Sequence, residues 1–220
     1  MSSMVGSKAL ALEEWCRGQG RQFTRFDYAG CGQSSGDFAE GTLGSWADDA
    51  LAVLDTVTDG PQVVVGASMG GWIMLLLALR RPERVAGLVG VAAAPDFVLR
   101  WQRLLDDHQR QALEKNGCFW RPSRYSEEPY LVTRQLLEEG RSHLLLQGDK
   151  QIAITCPLRL LHGMRDPDVP WQASLELCSR IAHDDVEVRL VKAADHRMSR
   201  PEDLRMLLAV VEELCARAGE

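Results

Sequence analysis

Val63-Val64-Val65-Gly66-Ala67-Ser68-Met69-Gly70-Gly71-Trp72-Ile73-Met74 carries the reading from which the rest follows. Its first three residues are β-branched and uninterrupted, as in a strand buried on both faces of a parallel sheet. From Trp72 the chain turns into an apolar helical run. Between them lies Gly66-Ala67-Ser68-Met69-Gly70, a G-x-S-x-G pentapeptide. A serine on such a strand-to-helix turn projects its Oγ outward, and small residues two before and two after it let strand and helix approach. The helix beginning near Met69 adds a positive dipole end and unpaired backbone N–H groups, so the Met69 N–H is a candidate donor to a developing oxyanion.

Outward from this turn, apolar runs alternate with amphipathic segments. Helices are expected over Lys8–Arg17, Leu43–Val57, up to Arg80, Trp171–Ile181 and Pro201–Ala216. Strands are expected over Gln22–Tyr28, Gln62–Val65, Val85–Val91, Pro157–Leu161 and Val186–Val191, with Gly and Pro punctuating the joins. Five strands alternating with helices predict an α/β architecture with a mostly parallel, doubly wound sheet in one domain spanning residues 1–220. Residues 94–155 break the rhythm and read as a helical cap carrying Phe97, Trp101, Phe119, Trp120, Tyr125 and Tyr130. These aromatics either pack in a small core of their own or form an apolar wall over a ligand.

Composition narrows the function. The 220 residues carry a net charge of −6, and the pI is near 5.4. Neither fits a partner that is nucleic acid or an anionic membrane, which call for a basic face. The longest apolar run, Trp72–Leu79, has eight residues, too short to span a bilayer. The N-terminal residues show neither a signal-peptide core nor an arginine-rich transit stretch. The six cysteines stand at least 15 residues apart without C-x-x-C pairing, which reads as reduced thiols rather than a metal or disulfide framework. The Gly30–Gly36 turn lacks the lysine of a phosphate-binding loop, so neither a nucleotide, another cofactor nor a metal is expected.

A serine hydroxyl needs a base, and the base needs a group that fixes its tautomer. In an open parallel sheet these groups gather beyond the carboxyl ends of the strands. His108 and His143 fall in the cap, and His183 precedes a strand. His162 reads as part of its strand's last buried pair. His196 follows Val186–Val191 on a short loop and is the candidate base. For the acid, Asp166 and Asp168 share the loop after the penultimate strand. Asp166 is preferred, with Asp96 and Asp195 as weaker alternatives. Ser68 in the place of a carboxylate nucleophile disfavours dehalogenase and epoxide-hydrolase chemistry.

The order Ser68, Asp166, His196 is that of alpha/beta-hydrolases. More closely, Gly6–Ala11, Arg25–Tyr28, Thr42–Trp46, Ser68–Trp72, Tyr125–Glu128, Leu161–Met164, Val169–Trp171 and Asp195–Met198 resemble the mitochondrial acyl-protein thioesterase and acyl-glucuronide esterase group, together with related bacterial hydrolases. The resemblance spans nearly the whole chain. It implies an alpha/beta-hydrolase fold, Ser68 as nucleophile, Asp166 as orienting acid, His196 as base, and no cofactor. It also implies hydrolysis of S-palmitoyl thioesters on protein cysteines and of small acyl-glucuronide esters, in mitochondria by resemblance and otherwise in the cytoplasm. Arg100, Arg103, Arg121 and Arg124 then become candidates to meet a glucuronate carboxylate, against the plainer reading of a solvated face. The group carries a strand and a glycine-containing oxyanion loop before the helix that starts here near Ser7. Without them the sheet is expected to open between Phe23–Asp27 and Val63–Val65, as in a truncated or catalytically impaired form. A noncatalytic binding module on the same fold is the rival reading. Oligomeric state is open.

Overall fold

A computed structural model describes residues 4–124 and 129–218; Tyr125, part of one quoted segment and of the cap aromatics, lies outside them. Four strands, β1 (Gln62–Ala67), β2 (Val85–Val91), β5 (Leu158–Gly163) and β6 (Val186–Val191), form a parallel sheet in the order β1-β2-β5-β6. The pairs place Gly66 beside Gly90, Val91 beside Leu161, and Gly163 beside Val191, with one register shift between Gln62 and Val63 at the start of β1. Helices α1 (Ser7–Gly18), α2 (Leu43–Val57), α3 (Met69–Arg80), α7 (Gln172–Arg180) and α8 (Pro201–Arg217) flank it. Thr42 caps α2 by accepting from the Ser45 N–H, while Ser45 Oγ accepts from the Thr42 N–H. Two orphan donors at the helix start are satisfied in this way.

Alternate residues of the strands face opposite layers, the period-2 pattern of a sheet covered on both sides. Val89, Val91 and Leu161 pack with Leu12 of α1 and Leu207, Val210, Val211 and Leu214 of α8. Leu88, Leu158 and Leu160 pack with Met74, Leu75 and Ala78 of α3 and Leu177 of α7. Near the amino end of β5, the fully buried Arg159 guanidinium lies 2.8 Å from Asp185 and 2.6 Å from Glu213, which pairs a charge that burial would otherwise penalise.

Two expectations change. Gln22–Tyr28 forms no strand: the segment carries no ladder partner among the described residues. It faces β1 across a cleft of about 1540 Å³ lined by Gln22–Tyr28 on one side and Gln62–Ala67 on the other. A strand exists only as half of a pair, so β-propensity alone does not make one. Correspondingly, Val63–Val65 are half-buried rather than buried on both faces. Asp27 still organises this region, accepting from the Met4 N–H at 2.6 Å and the Gln33 N–H at 3.0 Å.

The stretch between β2 and β5 is not purely helical. It comprises α4 (Phe97–Leu104), α5 (Asp107–Asn116), an antiparallel ribbon of β3 (Cys118–Arg121) and β4 (Tyr130–Thr133), and α6 (Arg134–Glu139). Its aromatics do not make a separate core. Phe97 meets Trp72 of α3 edge-on with ring centroids 5.4 Å apart, and Phe119 joins the same buried cluster as Trp46 and Trp72. Trp120 points outward. Asp96, buried and in a left-handed conformation, fastens the returning chain by accepting from the Leu145 and Leu146 N–H groups at 2.8 and 3.0 Å.

Candidate active site

Ser68 sits where β1 ends and α3 begins, with φ 53° and ψ −118°, a conformation uncommon for a residue with a Cβ. Three backbone hydrogen bonds hold it. Ser68 N–H donates to the Val91 carbonyl at 3.0 Å, and the Ser68 carbonyl accepts from Gly71 and Ala94 at 2.9 and 3.1 Å. The steric need for glycine falls at Gly66 and Gly71. A Cβ at Gly66 would collide with the Gly70 carbonyl, as expected, but Gly70 itself has room towards the Tyr28 hydroxyl, 4.0 Å away. The second tight contact belongs to Gly71, where a Cβ would lie 2.6 Å from Ala93 Cβ. The Met69 N–H lies in the first turn of α3, where a helix supplies no acceptor for it.

The structure brings Asp166 and His196 together. Asp166 Oδ2 accepts from His196 Nδ1 at 2.6 Å. Asp166 Oδ1 accepts from the Asp168 and Val169 N–H groups at 2.7 and 2.8 Å. Close approach of their loops depends on Gly163, because a Cβ there would strike the Ala194 and Asp195 carbonyls. The Asp166 side chain is fully buried whereas that of His196 is 14% exposed, so the acid is dry and the base opens towards the cleft. Burial pushes the Asp166 carboxyl up, but hydrogen bonds from His162, His196 and the Val169 N–H outweigh it and hold the group well below the usual carboxylate range.

The competing groups have other work. Asp195 accepts from the Arg197 and Met198 N–H groups of its own loop at 3.0 and 3.2 Å, and Asp96 holds the returning segment. His143 pairs with Glu139 at 2.5 Å, and His183 accepts from the Asp185 N–H at 3.0 Å. His162 is more than a buried strand residue. Its Nε2 lies 3.1 Å from Asp166 Oδ2 and its Nδ1 2.7 Å from Ser174 Oγ. The four-residue spacing from His162 to Asp166 across one short loop was the available sequence signal.

Ser68, Met69, His196, Asp168 and Val169 all line the large cleft, together with Phe97, Leu99, Trp101 and Tyr130 from the stretch above the sheet. Arg100, Arg103, Arg121 and Arg124 line it as well. The Arg121 guanidinium lies 4.8 Å from the Trp101 ring centre, and Arg124 Nε lies 3.8 Å from Asp168. Asp166, Asp168 and His196 each place a potential ligand atom within 4.8 Å of the others. However, both Asp166 oxygens already accept two protein donors each, leaving no lone pair in reach of a cation without breaking that set.

A serine elbow at the end of a parallel strand, lining one cleft with a carboxylate-bound histidine, defines a class. A family model described as alpha/beta hydrolase fold matches residues 8–131, and the chain belongs to that family. It is similar to the mouse palmitoyl-protein thioesterase ABHD10, mitochondrial, with 44% identity covering 97% of this chain and 72% of that protein. The human protein of the same name is 43% identical over 97% of this chain and 70% of its own length. Among solved structures, mouse alpha/beta hydrolase domain-containing protein 10 superposes with a TM-score of 0.89 at 43% identity, covering 98% of this chain and 86% of that one. A putative hydrolase from Agrobacterium vitis S4 gives 0.92 at 40% identity, covering 97% and 84%.

Proposed function

We propose that this chain is a serine hydrolase that cleaves carboxylic thioesters and esters through an acyl-enzyme. The observation that carries the reading is the 2.6 Å bond from His196 Nδ1 to the buried Asp166 carboxylate, in a cleft that also contains Ser68. With the Nδ1 proton committed to Asp166, neutral His196 is basic at Nε2. Ser68 Oγ attacks the acyl carbonyl carbon while His196 Nε2 takes its proton, and the Met69 N–H donates to the resulting oxyanion. Collapse expels the thiol or alcohol with the proton that His196 returns. Water repeats the sequence on the acyl-Ser68 ester and releases the carboxylic acid.

An acylated protein cysteine is the proposed substrate, supported by the curated relatives named as palmitoyl-protein thioesterases and by the apolar residues along the cleft. Acyl glucuronides form a second substrate class, for which the four arginines supply a complementary carboxylate site. Mitochondrial residence is read from the relatives' names and is tested by imaging the tagged protein in cells.

The test is hydrolysis of a short-to-long series of acyl thioesters and oxygen esters, with an acyl glucuronide beside its neutral glucoside analogue. Ser68→Ala is expected to abolish turnover, and His196→Ala to abolish labelling of Ser68 by a fluorophosphonate. A binding protein without turnover is the second reading, favoured by the cleft's continuation along the uncovered edge of β1. Absence of labelling in the unaltered chain would favour it.

A further inference from the structure

The Asp166 carboxylate receives two imidazoles on one oxygen, and only one belongs to the reaction proposed above. His162 is fully buried at the carboxyl end of β5, and its three polar neighbours determine its state. Nε2 lies 3.1 Å from Asp166 Oδ2 and 3.1 Å from the Val169 carbonyl oxygen. Both are pure acceptors, because the carbonyl never carries a proton and Asp166 is held ionised. Nε2 must therefore carry the proton and share it between them. With a single ring proton placed at Nε2, Nδ1 is the acceptor, and Ser174 Oγ, 2.7 Å away on α7 and itself buried, donates to it. A hydroxyl thus fixes a tautomer, the tautomer fixes a donor, and the donor shares Oδ2 with His196.

We infer that His162, held by Ser174, is a positioning residue for the Asp166–His196 pair. Its Nε2–H pins Oδ2 in place and takes up part of the negative charge that would otherwise act on His196 alone. A carboxylate oxygen that has lost one of its two donors stabilises the remaining imidazolium more strongly, so removing His162 raises the pH at which His196 titrates. It also frees the carboxylate to rotate, which degrades the orientation of the base. The other charged groups around the pair stay in place in this comparison. Asp168 lies within 4.8 Å of the His196 and Asp166 ligand atoms, with Arg124 3.8 Å from Asp168. On the His196 loop, Asp195 caps Arg197 and Met198, and Lys8 donates to the Arg197 carbonyl at 2.6 Å.

The inference rests on the catalytic pair of the proposed function, so its test reads His196 without turnover. The imidazole of His196 is titrated by NMR in the full chain, in His162→Leu and in His162→Gln, whose side-chain amide keeps one donor and one acceptor. His162→Leu is expected to raise the His196 midpoint by about one pH unit, and His162→Gln to leave it near that of the parent. With a thioester substrate, His162→Leu is expected to lose about 10–100-fold, chiefly in kcat, and His162→Gln to recover most of it. Should His162→Leu fail to fold, His162→Phe, which fills the ring's volume without a donor, takes its place with the same expectation. A folded Gln variant with a displaced midpoint overturns the role. An unchanged midpoint in a folded His162→Leu also overturns it, whatever happens to activity. Loss of Ser68-dependent turnover in the unaltered chain would instead remove the proposed function and leave the titration result standing.

Discussion

At the scale of single residues, the centre of the molecule is a carboxylate that is fully buried and still charged. Asp166 keeps its charge because four donors reach its two oxygens: two backbone N–H groups and two imidazoles. Asp166→Asn preserves the shape but offers N–H where His196 needs an acceptor, which favours the wrong tautomer. A loss in kcat of about 10³–10⁴-fold is expected on an acyl thioester, with much smaller change in KM. The same charge links stability to pH. A carboxyl whose folded pKa lies below its unfolded value of about 4 contributes stability that is complete above that pH, and that contribution is lost as the pH falls through the folded pKa. The difference in Tm between the parent and Asp166→Asn should therefore be largest near neutrality and shrink as the pH is lowered below about 4. Thermal melts from pH 7 downward measure it, and a difference independent of pH would contradict the assignment.

At the scale of elements, the proposed catalytic groups belong to three strand ends, and the reaction requires these to meet within ångströms. Gly163 sets one of these meetings, since the end of β5 touches the Ala194 and Asp195 carbonyls. Gly163→Ala forces the His196 loop away from the Asp166 loop. A displacement of about 1 Å in a catalytic group costs on the order of 10²-fold in rate, so kcat/KM should fall by about that factor. Overpacking should cost roughly 1–3 kcal/mol of stability, read as a lower midpoint in urea. Full activity with Ala at this position would mean that the two loops have slack the contacts do not show.

At the scale of the whole molecule, a parallel sheet carries the proposed catalytic groups and the stretch between β2 and β5 supplies much of the cleft wall. Trp101 is central to that wall: its ring lies 4.5 Å from Phe97 and 5.7 Å from Tyr130, centre to centre, and it takes the Arg121 guanidinium on its face. Under the proposed function, Trp101→Ala removes apolar surface that a long acyl chain would cover and a short one would not. The ratio of kcat/KM for palmitoyl over acetyl thioesters should fall by about tenfold. Equal losses for both chain lengths would place the acyl group elsewhere in the cleft.

Much of this was legible in order along the chain. Short apolar runs between Gly and Pro marked β1, β2, β5 and β6, with β-branched residues in β1, β2 and β6 and leucines in β5. Apolar positions at helical spacing marked α1, α2, α3, α7 and α8, and the glycines around Ser68 marked a turn, crowded at Gly66 and Gly71 though not at Gly70. What stayed hidden depended on partners distant in sequence. Gln22–Tyr28 has strand-like residues but no strand, because pairing is decided by what lies alongside. The short β3–β4 ribbon comes from two four-residue segments whose pattern is too brief to stand out. Asp166 was preferred over its loop neighbour Asp168, but the bond that aims its carboxylate at His196 is visible only in the fold. His162 looked like core, since nothing local reveals that its ring touches a carboxylate on one side and Ser174 on the other. Local sterics and burial are written into residue types, whereas hydrogen-bond partnership is a property of three-dimensional proximity, and only the folded chain decided it.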